Sequence, residues 1–296
     1  DLAAKIAWAN GYEAEDYDHT ETEKINIKDL AERRENYGSR VPAEAGFITG
    51  GVDVQGDRLE VELIAWGSGG ESWGVDYRQL YGDTALPAVW QQLDDYLQQT
   101  WTHSSGSELR VGSVVVDSGY RAPNVYRYTL GKRPRGIVAG KGSSTRNHPL
   151  IKGPNSVRHG RFKVPVVSIG TDEGKRMLFD CLQRQTMGPG YCHFPEHYPD
   201  SYFRMLGAEE YQEKVSGGRT VCEWVKVAAR NESIDLRVYN LAALALAAPN
   251  IEKLVADLNT SDDPEPEPEQ LTPMQQKLAS RRPGQPSGGF VTGWKR

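Results

Sequence analysis

Long apolar runs are scarce in this chain of 296 residues. None reaches the ~18 residues that a membrane-spanning helix needs. The longest, 236–248, is broken by Arg237, Tyr239 and Asn240. The start, Asp1-Leu2-Ala3-Ala4-Lys5, lacks both an initiator Met and the basic-then-apolar pattern of a signal peptide, so the chain reads as a piece of a longer protein. Cysteine is scarce as well. Cys181, Cys192 and Cys222 are an odd set, which argues against a disulfide framework and for a reducing, cytoplasmic setting. Cys192-His193 with His197 invites a zinc reading. Pro195 separates the histidines, however, and no second Cys pair stands at finger-like spacing, so packed or surface roles are expected. No Gly-x4-Gly-Lys-Ser/Thr phosphate loop occurs. The stretch 136–143, Gly-Ile-Val-Ala-Gly-Lys-Gly-Ser, misses its spacing, so no ATPase activity is expected.

The most informative absence is of one charge. A net charge of −5 does not point to nucleic acid, yet no Asp or Glu occurs between Asp117 and Asp172. The same stretch carries Arg121, Lys141, Arg146, Lys152, Arg158, Arg161 and Lys163, among other cations. One-sided charge of this kind suits the phosphate backbone of DNA. Segments 140–146 and 153–161 read as flexible and able to follow a groove. The competing reading is a solvated basic surface. Phosphate contacts give affinity without sequence choice.

Periodicity supplies the architecture. Strands are predicted over 47–55, 58–66 and 72–81, with Gly56-Asp57 as a tight turn between the first two. In the second, Leu59, Val61, Leu63 and Ala65 alternate with Glu60, Glu62, Ile64 and Trp66. A helix fits 86–101, where Val89, Trp90, Leu93, Tyr96 and Leu97 recur at helical spacing. A buried strand at 111–117, a helix at 122–130 and a strand at 136–140 follow. Helices at 171–185 and 232–248 and a strand at 219–228 complete the pattern. The expectation is an α/β fold, a mixed five-stranded sheet flanked by helices. Residues 1–45 read as a linker or the remnant of a preceding domain, 46–250 as the folded domain, and 251–296 as a disordered tail, because 261–269 alternates acids with proline.

Three acids stand where acids are unusual. Asp53 lies inside a strand, between Val52 and Val54, where a carboxylate is costly unless paired or metal-bound. The alternative is an edge strand facing water. Asp117 ends the run Val114-Val115-Val116, at the carboxyl end of a buried strand, where ligands bind in α/β sheets. Ser118-Gly119 also permits a turn or cap reading. Asp235 shares a helical stripe with Val238, Tyr239 and Ala242, three residues after Glu232. Helix-dipole stabilisation accounts for Glu232 more readily than for Asp235. Carboxylates from two strands and a helix would suit Mg²⁺ or Mn²⁺, two ions acting together on a phosphodiester.

Several segments carry a resemblance. Gly51-Val52-Asp53-Val54-Gln55, Val115-Val116-Asp117-Ser118-Gly119 and Arg230-Asn231-Glu232-Ser233-Ile234-Asp235 resemble the nuclease domain of lambda-type (GpA-like) phage terminase large subunits. The approach segment Arg33-Arg34-Glu35-Asn36-Tyr37 to Val41-Pro42 is similar to that family's linker. The resemblance covers roughly residues 30–250. It implies an RNase H-like endonuclease that cuts concatemeric phage DNA during packaging in the host cytoplasm. Asp53, Asp117 and Asp235 match the family's metal-binding acids, with Glu232 the less favoured choice for the third. It implies as partners double-stranded DNA, a terminase small subunit, an ATPase domain on the N-terminal side and a portal protein, the last met by 271–296. Two other classes remain open: a catalytically silent DNA-binding or assembly module, and another RNase H-like nuclease such as a recombinase or junction resolvase.

Overall fold

The computed structural model describes residues 21–260 except 144, 146, 147, 217 and 218. From residue 261 on, the tail expected at 251–296 lies outside the described residues, as does the segment 1–20. The elements run β1 (Glu21–Glu23), α1 (Ile27–Glu32), β2 (Arg34–Glu35), β3 (Ala45–Val54), β4 (Arg58–Gly67), β5 (Ser72–Tyr81), α2 (Pro87–Leu97), β6 (Thr100–Thr102) and β7 (Glu108–Asp117). They continue with α3 (Ala122–Thr129), β8 (Ile137–Ser143), β9 (Ile151–His159), β10 (Phe162–Gly170), α4 (Thr171–Leu182), β11 (Cys192–Pro195) and α5 (Asp200–Leu206). The last are β12 (Glu209–Ser216), β13 (Arg219–Lys226), α6 (Glu232–Ala247) and α7 (Ile251–Thr260).

The five strands expected from the sequence lie side by side in the order β5-β4-β3-β7-β8. β3, β4 and β5 are antiparallel, while β7 is parallel to β3 and β8 to β7. That order and those directions are the RNase H-like arrangement. The sheet is larger than the five strands expected: β10 and β9 extend one side, β11 and β2 the other, and β6 pairs with β7, making ten strands. A separate three-stranded sheet has the order β1-β12-β13.

Both faces of the sheet are covered. Val52, Val61, Val114 and Val116 pack with Trp90, Leu93 and Val125 of α2 and α3 in one core. Val115, Val167 and Ile169 pack with Leu178, Tyr202, Ile234 and Val238 of α4, α5 and α6 in another. Burial on two sides extends to β4, where Glu60 and Glu62 are 0% exposed.

Three further differences concern segments whose sequence looks irregular. Residues 153–161, expected to be flexible, belong to a β-hairpin in which β9 pairs antiparallel with β10. The approach at 27–45, expected to be linker, joins the fold: Leu30 and Val41 are buried and β2 pairs with β11. The folded part also continues past 250, because α7 packs Ile251 and Val255 against Ile64 and Trp66. Short strands and helices of this kind carry weak periodic signals and are stabilised by long-range pairing.

Candidate metal and nucleic-acid site

The site is built at the carboxyl ends of β3 and β7. Val52 is the register partner of Val116 in this parallel pair. Asp53 and Asp117 are therefore side by side, roughly 5 Å apart along the hydrogen-bonding direction, on the same face of the sheet. Helix α6 crosses that face. Gly51, two residues before Asp53 and on the same side, permits this: a Cβ there would lie 2.3 Å from the Leu236 carbonyl oxygen and 2.9 Å from Asn240 Nδ2. Thr49, two residues earlier again, donates to Asn240 Oδ1 at 2.7 Å, and Asn240 Nδ2 donates to the carbonyls of Glu62 and Leu236 at 3.1 and 3.0 Å. This buried polar column locks α6 over β3, and the next turns of the helix bring Tyr239 and Asp235 to the two strand acids.

Asp53 and Asp235 both feel the charge of Asp117. Burial, and then the negative charges of Asp235, Asp117 and Glu232, push the Asp53 carboxyl up to about 7, opposed by a hydrogen bond from Gln55. Burial pushes Asp235 up to about 6; Lys175 opposes this, and Glu209 and Asp117 add to it. Asp117 is raised by burial too, against hydrogen bonds from the Gly119 backbone and the Tyr239 hydroxyl. The Gly119 N–H lies 3.1 Å from Asp117 Oδ1.

Other buried acids nearby have cations. Glu62 meets Arg237 Nε at 3.0 Å, and both are almost wholly buried. Glu60, the register partner of Asp53, accepts from Arg58 at 2.7 Å and from Arg230. Glu232 is held by the same two arginines, at 3.1 and 3.2 Å. Asp53 and Asp117 have no ion pair among the described residues. Buried carboxylates left without a cation, beside one another, fit an oxygen-only metal site by charge and donor type. As placed, no three His, Cys, Asp or Glu side chains among the described residues are close enough to enclose an ion.

The structure thus sets Asp53, Asp117 and Asp235 in one charged neighbourhood and holds Glu232, itself buried, on Arg58 and Arg230. It also brings in residues that carry no distinctive sequence signal: Tyr239 as an acid-facing phenol, Glu60, Arg58 and Arg230 as a charge-balanced neighbour, and Lys175 with Glu209 beside Asp235. The zinc reading of Cys192, His193 and His197 fails because the histidines have other partners. His193 lies between Glu35 and Glu71, and His197 lies 3.4 Å from Asp76.

The basic residues separate into two groups. Asp117 is paired in register with Gly140, so Lys141 follows at the same end of the sheet but on the face opposite Asp117. Ser168 is the partner of both Lys141 and Lys152, which sets those lysines in one row across β8, β10 and β9. Arg121, which adopts a left-handed backbone (φ 52°), sits in the loop after Asp117. Arg158 pairs with Lys163, and Arg161 is in the turn between them. That group is five residues of β10 away from Ser168, roughly 17 Å towards the opposite end of the sheet. All six are exposed, and Arg146 lies outside the described residues.

A family model for the terminase large subunit gpA, endonuclease domain, matches residues 1–254. The terminase large subunit of Escherichia phage lambda is 30% identical over 253 residues, covering 81% of this chain and 39% of that protein. The terminase large subunit of Enterobacteria phage P21 is 25% identical over 275 residues, covering 90% of this chain and 42% of that protein. The chain therefore spans about two fifths of the length of these relatives. The large terminase of HK97 bacteriophage superposes with a TM-score of 0.38 at 8% identity, over 76% of this chain and 44% of that one. Matched over most of its length, with its carboxylates gathered at one end of an RNase H-like sheet, the chain belongs to the endonuclease-domain family of the terminase large subunit gpA.

Proposed function

We propose that this chain is a divalent-metal-dependent DNA endonuclease that cuts concatemeric phage DNA into packaged units. The observation that carries the reading is the pair Asp53 and Asp117: buried, adjacent on parallel strands, facing α6, and without a cation among the described residues. Asp235 completes the set. Glu232 is more buried than Asp235, but its carboxylate is held by Arg58 and Arg230, so it orients the strand-helix junction. Mg²⁺ or Mn²⁺ held by Asp53, Asp117 and Asp235, as two ions, would supply an activated water and charge compensation at the phosphate.

The chain's own residues do the rest. The carbonyl of Gly140 accepts from Ser118 Oγ at 2.7 Å and fixes the loop that carries Asp117. The Tyr239 hydroxyl and the Gly119 N–H orient Asp117. Arg121, Lys141 and Lys152 stand at the acid end of the sheet, the two lysines on the face away from the acids, and would hold duplex backbone passing the strand ends; Arg158, Arg161 and Lys163 would meet it towards the other end. Partners beyond DNA belong to the same proposal: a small subunit for choice of cutting position, an ATPase domain preceding this one, and a portal protein engaged by 271–296.

The test is plasmid and concatemer cleavage with Mg²⁺ or Mn²⁺. Asp53→Asn and Asp117→Asn should abolish cutting while preserving the circular-dichroism spectrum. Asp235→Asn should be nearly as damaging, and Glu232→Gln milder. Cutting by Asp53→Asn at the wild-type rate would overturn the site. DNA binding with no metal-dependent cutting by the wild-type chain would favour the silent module.

A further inference from the structure

Asn231 stands at the N-cap of α6, yet its side chain makes no capping hydrogen bond. Asn at that position ordinarily satisfies a free N–H of the first turn. Here the amide is turned away and fully engaged elsewhere. Its Nδ2 donates to Glu209 Oε1 at 2.7 Å and to Asp235 Oδ2 at 3.1 Å. Its Oδ1 accepts from Lys226 Nζ at 2.7 Å. Two carboxylates on one end and an ammonium on the other define the amide's orientation, since the reverse would set oxygen against oxygen.

The amide belongs to a larger brace. Glu209 Oε2 accepts from Lys175 Nζ at 2.6 Å, and both are mostly buried. Lys175 reaches it because α4 crosses α6 closely at Gly174, where a Cβ would lie 2.6 Å from Val238 Cγ1. The brace thus ties α4, the first residue of β12 and the last of β13 to one oxygen of Asp235, its Oδ2. The other oxygen, Oδ1, stands outside the brace, on a side chain already coupled to Asp117.

We infer that Asn231 is a positioning residue of the nuclease centre: it forgoes its helix-capping role to hold Asp235 by Oδ2, leaving Oδ1 for a divalent ion. The inference rests on the reading of Asp235 as the third metal-binding acid. Outer-shell partners of this type change metal affinity or activity by about 10- to 100-fold when removed.

The experiment separates positioning from capping. Asn231→Ser keeps a good N-cap residue but cannot span Glu209, Lys226 and Asp235. In the full chain, calorimetric titration with Mn²⁺ alone should show affinity lowered by about 10- to 100-fold, with the melting temperature held. Cleavage should fall in kcat with KM for DNA unchanged. Asn231→Asp, which sets a third carboxylate against two others, should be at least as damaging. Wild-type Mn²⁺ affinity and kcat in Asn231→Ser would overturn the inference, as would a lowered melting temperature with Mn²⁺ affinity retained. Asp235→Asn is measured beside it. If that variant binds Mn²⁺ as the wild type does, the assignment of Asp235 fails and the inference with it; if it no longer binds Mn²⁺ while Asn231→Ser still does, only the role of Asn231 fails.

Discussion

Asp53 and Glu60 are partners across β3 and β4, yet among the described residues only Glu60 has a cation. Arg58 and Arg230 balance Glu60; Asp53 accepts from the Gln55 amide. Burial therefore holds the Asp53 carboxyl at about 7, well above the ~3.9 of an unfolded chain. The native state grips that proton more tightly than the unfolded state does. The stability this provides is complete in acid and is lost as pH rises through about 7. Asp235, at about 6, acts in the same direction over a slightly lower window. In EDTA the melting temperature should fall between pH 5 and pH 8, and Asp53→Asn, neutral throughout, should flatten that slope. An identical slope in the variant would show that Asp53 is not the group responsible. Adding Mg²⁺ should raise the melting temperature more at pH 8 than at pH 5, because the ion binds the ionised carboxylates.

Helix α6 is apolar almost all round because it has neighbours almost all round: β3, β4 and β7 beneath, and α4 and α5 beside it. Its seat depends on Gly51. Gly51→Ala would drive a methyl into the Leu236 carbonyl, at 2.3 Å. A destabilisation of about 1–3 kcal/mol or more is expected in urea unfolding, together with weaker cleavage because α6 carries Asp235. Its other anchor is the Arg237–Glu62 pair. Arg237→Met leaves Glu62 buried without its cation and should cost about 3–5 kcal/mol. Strands β8, β9 and β10 decide the path of DNA. Neutralising Lys141 and Lys152, at the acid end of the sheet, should reduce both duplex binding and cutting. Neutralising Arg158 and Lys163, at the far end, should reduce binding more than cutting. Removing one phosphate-binding cation should change the slope of log affinity against log salt by about 0.9. Equal effects on cutting from the two pairs would move the duplex away from this row.

Taken as a whole, the chain has the nuclease family's match over residues 1–254 but no phosphate loop in its sequence. ATP turnover is therefore expected to be absent from the purified chain, and turnover that co-purifies through every column would overturn that expectation. Beyond residue 260 the sequence places acids and prolines before a basic segment with Leu271, Met274, Leu278, Phe290 and Trp294. Apolar anchors in such a setting suit folding on a partner. Removing 271–296 should leave cleavage intact and abolish binding to a portal protein, measured by co-sedimentation with assembled portal rings. The reverse outcome would assign the segment to the nuclease.

Much of the sheet is legible in the sequence because local physics dictates it. Val-rich runs with tight turns become β3, β4, β5, β7 and β8, and an acid inside or at the end of such a run stands out against its apolar neighbours. Asp53 and Asp117 stand out in that way, Asp235 does so on a helical stripe, and their order matches a family. The burial of Glu60 and Glu62 is not legible, because alternation shows only that two faces differ, not that both are buried; α5 and α6 covering the second face decide that. The β9–β10 hairpin looks like loop because Gly153, Pro154 and Asn155 resemble a turn, while the pairing of β9 with β10, and of β10 with β8, makes them sheet. Lys141 and Arg158 are equivalent in a one-dimensional charge count, and only register sends them to opposite ends. Asn231 carries no signal beyond a helix cap. Its partners Glu209 and Lys226 are 22 and 5 residues away in sequence, and Lys175 is further still, so the brace exists only once α4, β12, β13 and α6 have packed. Composition and periodicity determine which elements form; the choice between the oxygens of Glu232 and Asp235 depends on where Arg58 and Arg230 end up, which is a property of the packed molecule.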